Sequence, residues 1–223
     1  MGTDDLFHKR KARRAASHSR RKARREPYDK VLIVCEGSKT EPQYFNELKN
    51  HYKINSANVV VTGDCGSDPL SVWKLAHERY AVERNAGDPF DRVYCVFDKD
   101  THSHYDDAVN QIQSARPEET FYAITSVPCF EFWLLVHFNP TGRPYAPKHG
   151  NSPADQVLDE LKRYMPRYRK AQMGVFVELL EELPGAIENA KRLLADAERT
   201  GTDNPSTRVH ELIEYLQNIK DDR

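Results

Sequence analysis

Two apolar runs, each closed by acidic residues, constrain this chain most. Val31-Leu-Ile-Val-Cys35 leads directly into Glu36-Gly-Ser-Lys-Thr-Glu41. Farther on, Val93-Tyr-Cys-Val-Phe97 leads into Asp98-Lys-Asp100. Short runs of β-branched and aromatic residues read as strands buried on both faces of a parallel sheet. Acidic side chains just past the carboxyl ends of such strands stand where open α/β sheets build their sites. Glu36, Asp98 and Asp100 are therefore expected together at one sheet edge. Packed carboxylates repel one another unless a cation or a shared proton intervenes. An all-oxygen cluster of this kind suits Mg²⁺ or Mn²⁺.

The alternation continues along the chain. Strands are expected at Lys30–Cys35, Asn58–Thr62, Arg92–Phe97 and Thr120–Ser126. Helices are expected between them at Glu41–Asn50, Leu70–Arg84 and Tyr105–Ser114. In the first helix Thr40 is expected as N-cap, with Pro42 in the first turn and Tyr44, Phe45 and Leu48 inward. This order implies parallel pairing with right-handed crossovers. Pro128–Phe138 is nearly all apolar, with Glu131 alone in its middle, and reads as a buried helix. A Pro/Gly-rich loop over 139–152 follows, then helices at about 154–165, 170–182, 184–200 and 205–218. The fold class is α/β: a Rossmann-like, parallel four-stranded sheet flanked by helices, with a helical C-terminal extension. The divisions are 1–27, a basic arm; 28–138, the α/β domain; and 139–223, helices packed on it. No internal repeat is evident.

The formal net charge of −1 conceals an asymmetry. Residues 9–25 hold 10 of the 33 basic residues and no acid. From Glu26 onward 23 basic residues face 32 acidic ones, a formal −9. Such a basic block is either a solvated tail or a polyanion contact. The clustering of Arg13, Arg14, Arg20, Arg21, Arg24 and Arg25 favours nucleic acid, with salt-sensitive affinity. The widely spaced Cys35, Cys65, Cys95 and Cys129 form no CxxC pair and read as reduced and structural. No apolar run approaches the roughly 20 residues of a membrane helix. The N-terminus lacks the apolar centre of a signal peptide, so a cytoplasmic protein is expected.

Four strings carry a family likeness: Glu36-Gly-x-x-Thr-Glu41, Asp98-x-Asp100, Ser126-x-Pro-Cys-Phe-Glu-Phe-Trp-Leu-Leu-x-His-Phe138 and Asn204-Pro-Ser-Thr-x-Val-His210. The first two resemble the signature of Toprim domains, found in topoisomerases, DnaG-type primases, OLD-family nucleases and small nuclease-like proteins. All four, in order over about residues 30–210, resemble the RloB family, linked with bacterial restriction and abortive-infection loci. The resemblance implies a Toprim-like fold. It also implies that Glu36, Asp98 and Asp100 bind Mg²⁺ (or Mn²⁺) and serve phosphodiester chemistry.

Taken singly, each acid is also an ordinary strand-end residue facing water. Glu41 and Glu131 are further candidates. Glu131 either ligates a second metal or accepts from Arg, His or a backbone group, since a buried Glu is rarely left unpaired. Glu41 is either a ligand or a first-turn acid favoured by the helix dipole. Gly37 permits a sharp turn, and Ser38, Lys39 and the helix N-terminus offer donors to a phosphate. His137 reads as packed, and Asp64 and Asp68 as turn formers. Ser206 or Thr207 reads as a cap of the last helix. Tyr164, Arg167, Tyr168, Arg169 and Lys170 form a basic, aromatic patch: a helix surface, or a stacking contact to nucleic acid.

The expected function is a Mg²⁺-dependent, nuclease-like phosphodiester hydrolase acting on DNA or RNA in antiphage defence. The alternative is a non-catalytic metal- or nucleic-acid-binding partner of a larger ATPase or restriction complex. Any ATPase activity would belong to that partner. Glu36-Gly-Ser-Lys-Thr40 lacks the upstream glycine of a phosphate-binding loop, and a serine interrupts its Gly-Lys-Thr.

Overall fold

The computed structural model of the protein describes residues 27–63, 65–66, 68–99, 103–148 and 150–221. The arm through residue 26, with its candidate arginines, lies outside the described residues, as do Asp64 and Asp100. Strands β1 (Val31–Cys35), β2 (Val59–Thr62), β3 (Arg92–Asp98), β4 (Phe121–Val127) and β5 (Ser206–Thr207) form one sheet, ordered β2-β1-β3-β4-β5. β1 runs parallel to β2 and β3, and β3 to β4. β5 pairs antiparallel with the end of β4.

The expectation of four parallel strands is thereby corrected to a mixed sheet of five. Ser206 and Thr207 do not start the last helix; they lie opposite Val127 and Ser126. The Ser126 and Thr207 hydroxyls are 3.1 Å apart, and Arg208 N–H donates to Thr125 O at 2.8 Å. An open strand edge leaves backbone groups unpaired. The C-terminal segment supplies partners where β4 ends.

Helices α1 (Thr40–His51), α2 (Pro69–Asn85), α3 (Tyr105–Gln113), α4 (Glu131–Leu135), α5 (Pro153–Tyr164), α6 (Val175–Glu178), α7 (Leu183–Thr200) and α8 (Val209–Asn218) flank the sheet. Strand side chains alternate between faces, and two cores result. Val31, Ile33, Cys35, Tyr94 and Val96 pack with α1 and α4 to α8. Leu32, Val34, Val93, Cys95 and Phe97 pack with α2 and α3. β1 is buried along its whole length, as its unbroken apolar run requires.

Two helical expectations shorten. Every residue from Val127 to His137 is buried, yet the α-helix covers only Glu131–Leu135. The helix expected over 170–182 reduces to Val175–Glu178. Pro166 disfavours helical geometry at the residue before it, and α5 stops at Tyr164. The non-helical 165–174 segment then crosses toward α1, with consequences below. All four cysteines are free. Among the described residues no helix is long and apolar enough to cross a membrane.

Candidate metal centre

The order of strands reverses between β1 and β3, the place where ligands enter open α/β sheets. Glu36 follows β1, and its N–H donates to Val96 O at 2.9 Å, extending the ladder by a step. Its Oε2 accepts from the Asp98 N–H at 3.0 Å. One carboxylate thus ties two strand ends together. Asp98 closes β3, and its carboxylate accepts from the Phe130 N–H just before α4.

Asp98 is held well above the usual carboxylate range. Burial is the largest cause, followed by the charges of Glu41, Glu131 and Glu36. The residue keeps some accessible surface, but its carboxyl group faces inward against these acids. Glu41, buried in the first turn of α1, is also raised, by burial and then by Glu131 and Glu36. Its own backbone N–H and Lys170 pull the other way. Four carboxylates therefore share one field: Glu36, Glu41, Asp98 and Glu131.

Two glycines permit this approach. A Cβ on Gly37 would collide with the Glu41 carboxylate, 2.9 Å from Cδ. A Cβ on Gly63 would collide with Gly37 O and come 2.7 Å from Pro42 Cγ. The loop after β1 thus lies close against the residue that follows β2, with no room for a side chain at Gly63.

Glu131 is the first residue of α4 and is buried. Tyr168 OH donates to its Oε1 at 3.3 Å, and Lys170 Nζ stands 3.5 Å from the same oxygen. The 165–174 segment is tied down on both sides. Ala171 N–H donates to Thr40 Oγ1 at 3.0 Å. Gly174 and Phe176 N–H donate to the Glu47 carboxylate at 2.5 and 3.0 Å. Thr40 is accordingly not the cap of α1 but its first residue, with Lys39 in the N-cap place and no side-chain cap. Burial works against the charge of Lys170, but Glu131, Cys129 and Asp98 outweigh it and raise its pKa.

The remaining candidates lie elsewhere. Lys39 is exposed, in the N-cap place of α1. Asp68 faces His104 at 3.2 Å. Lys99 pairs with Asp203 at 2.6 Å. Asn204 exchanges two hydrogen bonds with the Tyr145 backbone, at 3.0 and 2.6 Å. His137 is packed, its Nδ1 3.0 Å from Trp133 O and its Nε2 buried without a partner. The basic patch divides: Tyr164 stays exposed, stacked on Phe138, while Tyr168 is buried and Lys170 meets Glu131. Sequence reasoning missed that inward turn.

Among the described residues no group of three or more His, Cys, Asp or Glu stands close enough together to hold a metal ion. Carboxylates are the donor type that hard divalent cations take, and here the charges of Glu36 and Glu131 raise both Asp98 and Glu41. No curated protein and no solved structure matches the chain. A family model described as RloB-like protein matches residues 31–216, a span that contains all four carboxylates. The chain belongs to the RloB-like protein family.

Proposed function

We propose that the protein is a divalent-metal-dependent phosphodiester hydrolase with a Toprim-like site, acting on DNA or RNA in antiphage defence. The observation that carries the chemistry is the shared field of Glu36, Glu41, Asp98 and Glu131 where β1 and β3 end. Four buried or half-buried acids with one nearby ammonium are a costly arrangement unless protons or a cation compensate. The defence role rests on the RloB likeness, and the nucleic-acid substrate on the basic block at 9–25.

Glu36 and Asp98 would hold the cation, with Asp100 as a further ligand; Glu41 and Glu131 would hold a second one or orient water. When bound, Mg²⁺ or Mn²⁺ supplies Lewis acidity that lowers the pKa of water and neutralises phosphate charge. The chain's own part is orientation. The Asp98 N–H aims Glu36, the Phe130 N–H aims Asp98, and Tyr168 aims Glu131. Ser38 and Lys39, exposed before α1, offer donors to a phosphate.

Calorimetric titration of Mg²⁺ and Mn²⁺ into wild type, Glu36→Gln and Asp98→Asn tests this, together with cleavage of labelled DNA and RNA. Loss of even an outer partner of a metal costs ~10–100-fold in affinity or activity, so a ligand should cost at least that. Wild-type protein without divalent-metal affinity sinks the proposal. Affinity without cleavage of either nucleic acid turns it toward a binding role.

A further inference from the structure

We propose that Lys170 is the group that receives the substrate phosphate at this site, an assignment that rests on the metal-dependent reading above. Its ammonium comes from a segment far along the chain from the carboxylates. It stands 3.5 Å from Glu131 Oε1, and its side chain is 61% exposed where that of Glu131 is 4% exposed. The cation therefore marks the mouth of the cluster, between buried carboxylates and solvent.

Charge balance favours a group of this kind. With one divalent cation on Glu36 and Asp98, ionised Glu41 or Glu131 leaves net negative charge at the site. A phosphodiester brings another negative charge and is repelled by what remains. A positive group at the mouth offsets that repulsion where the anion arrives. Lysine suits the task, since its ammonium has three donors on a flexible stem. One donor on Glu131 leaves two for phosphate oxygens.

The chain around Lys170 is tied down on both sides while its side chain stays largely exposed. Tyr168, two residues before, is anchored on Glu131, and Ala171, the next residue, on Thr40. Glu47 holds Gly174 and Phe176 beyond. The ammonium is thus delivered to one place without being sealed in. An exposed lysine serving only as a surface ion pair would contribute little and would need none of these tethers.

The test titrates Mg²⁺ into the full-length protein, then inorganic phosphate into the Mg²⁺-loaded protein, for wild type, Lys170→Gln and Lys170→Arg. Losing a charge-assisted hydrogen bond should weaken phosphate binding ~10-fold or more in Lys170→Gln. Mg²⁺ affinity should stay within ~3-fold of wild type in both variants, and Lys170→Arg should keep phosphate affinity within the same margin. Equal phosphate affinity in wild type and Lys170→Gln overturns the assignment. A Lys170→Gln protein that loses Mg²⁺ in the same proportion also overturns it, because Lys170 would then only brace the carboxylates. Equal losses in the Gln and Arg variants overturn it as well, as does Mg²⁺-loaded wild type with no phosphate affinity. Wild type that takes up no Mg²⁺ refutes the underlying metal reading instead.

Discussion

At Gly37 and Gly63 the same substitution meets two different obstacles. A methyl at Gly37 strikes the far end of a flexible side chain, the Glu41 carboxylate, which can swing aside. A methyl at Gly63 strikes the Gly37 carbonyl, which is backbone and cannot. Gly63→Ala should therefore cost ~1–3 kcal/mol, the usual price of overpacking. Gly37→Ala should stay within ~1 kcal/mol of wild type yet displace a carboxylate and weaken Mg²⁺ binding by ~10-fold or more. Urea unfolding and calorimetry on the pair read the two effects apart; equal stability losses would show that Glu41 is not free to yield.

His137 carries a pH signature outside the cluster. Burial pushes its imidazole down from 6.5 to about 4, against the help of the Trp133 and Leu134 backbone. The folded state then binds fewer protons than the unfolded state between those values. Stability from this group is complete above about pH 6.5 and drains away as pH falls toward 4. The full shift corresponds to about 3 kcal/mol. His137→Gln removes the titration. Its deficit against wild type should be large at pH 7.5 and smaller at pH 4.5, by urea midpoints; a constant deficit would mean that His137 does not titrate there.

Among the elements, the segment between α5 and α6 depends most on one distant side chain. Both carboxylate oxygens of Glu47 accept from the backbone at the start of α6. Glu47→Ala orphans two N–H groups. Bonds to a charged group are each worth ~1.5–3 kcal/mol when buried, and partial exposure here reduces the pair to about 1–2 kcal/mol. The segment carries Arg167, Arg169 and Lys170, so limited trypsin digestion should cut it faster in the variant. Unchanged cleavage would mean that Tyr168 and Thr40 hold it without Glu47.

This is also the element where sequence reading fell short. β1 and β3 are legible as short apolar runs buried on both faces, and β2 and β4, partly exposed, as β-branched and aromatic runs set between helical patterns. Glu36 and Asp98 follow from those strand ends. β5 was hidden: two hydroxyl residues have no period, and Ser-Thr before an apolar run reads as a cap. The inward turn of Lys170 was hidden as well. It depends on Pro166 ending a helix and on contacts with Thr40 and Glu131, which no local pattern encodes.

For the molecule as a whole, the two halves of its charge carry opposite consequences. From Glu26 onward the formal charge is −9, and the carboxylate cluster adds its field at the proposed point of substrate arrival. Such a body opposes a polyanion at long range. Residues 9–25, with 10 basic residues, are the concentrated source of attraction. Each phosphate neutralised on duplex DNA contributes about −0.9 to the slope of log K against log salt. Deleting residues 1–26 should therefore flatten that slope by several units and weaken binding most at low salt, measured by fluorescence anisotropy on labelled duplex and single strands. Lys39→Gln should remove only about one unit from the slope, because one contact is lost. Mg²⁺ affinity should be unchanged by the deletion, since every carboxylate of the cluster lies beyond residue 26. A slope unaltered by losing the arm would place the polyanion surface on the body, and the acidic balance of that body would then need local cations such as Lys39 and Lys170 to overcome it.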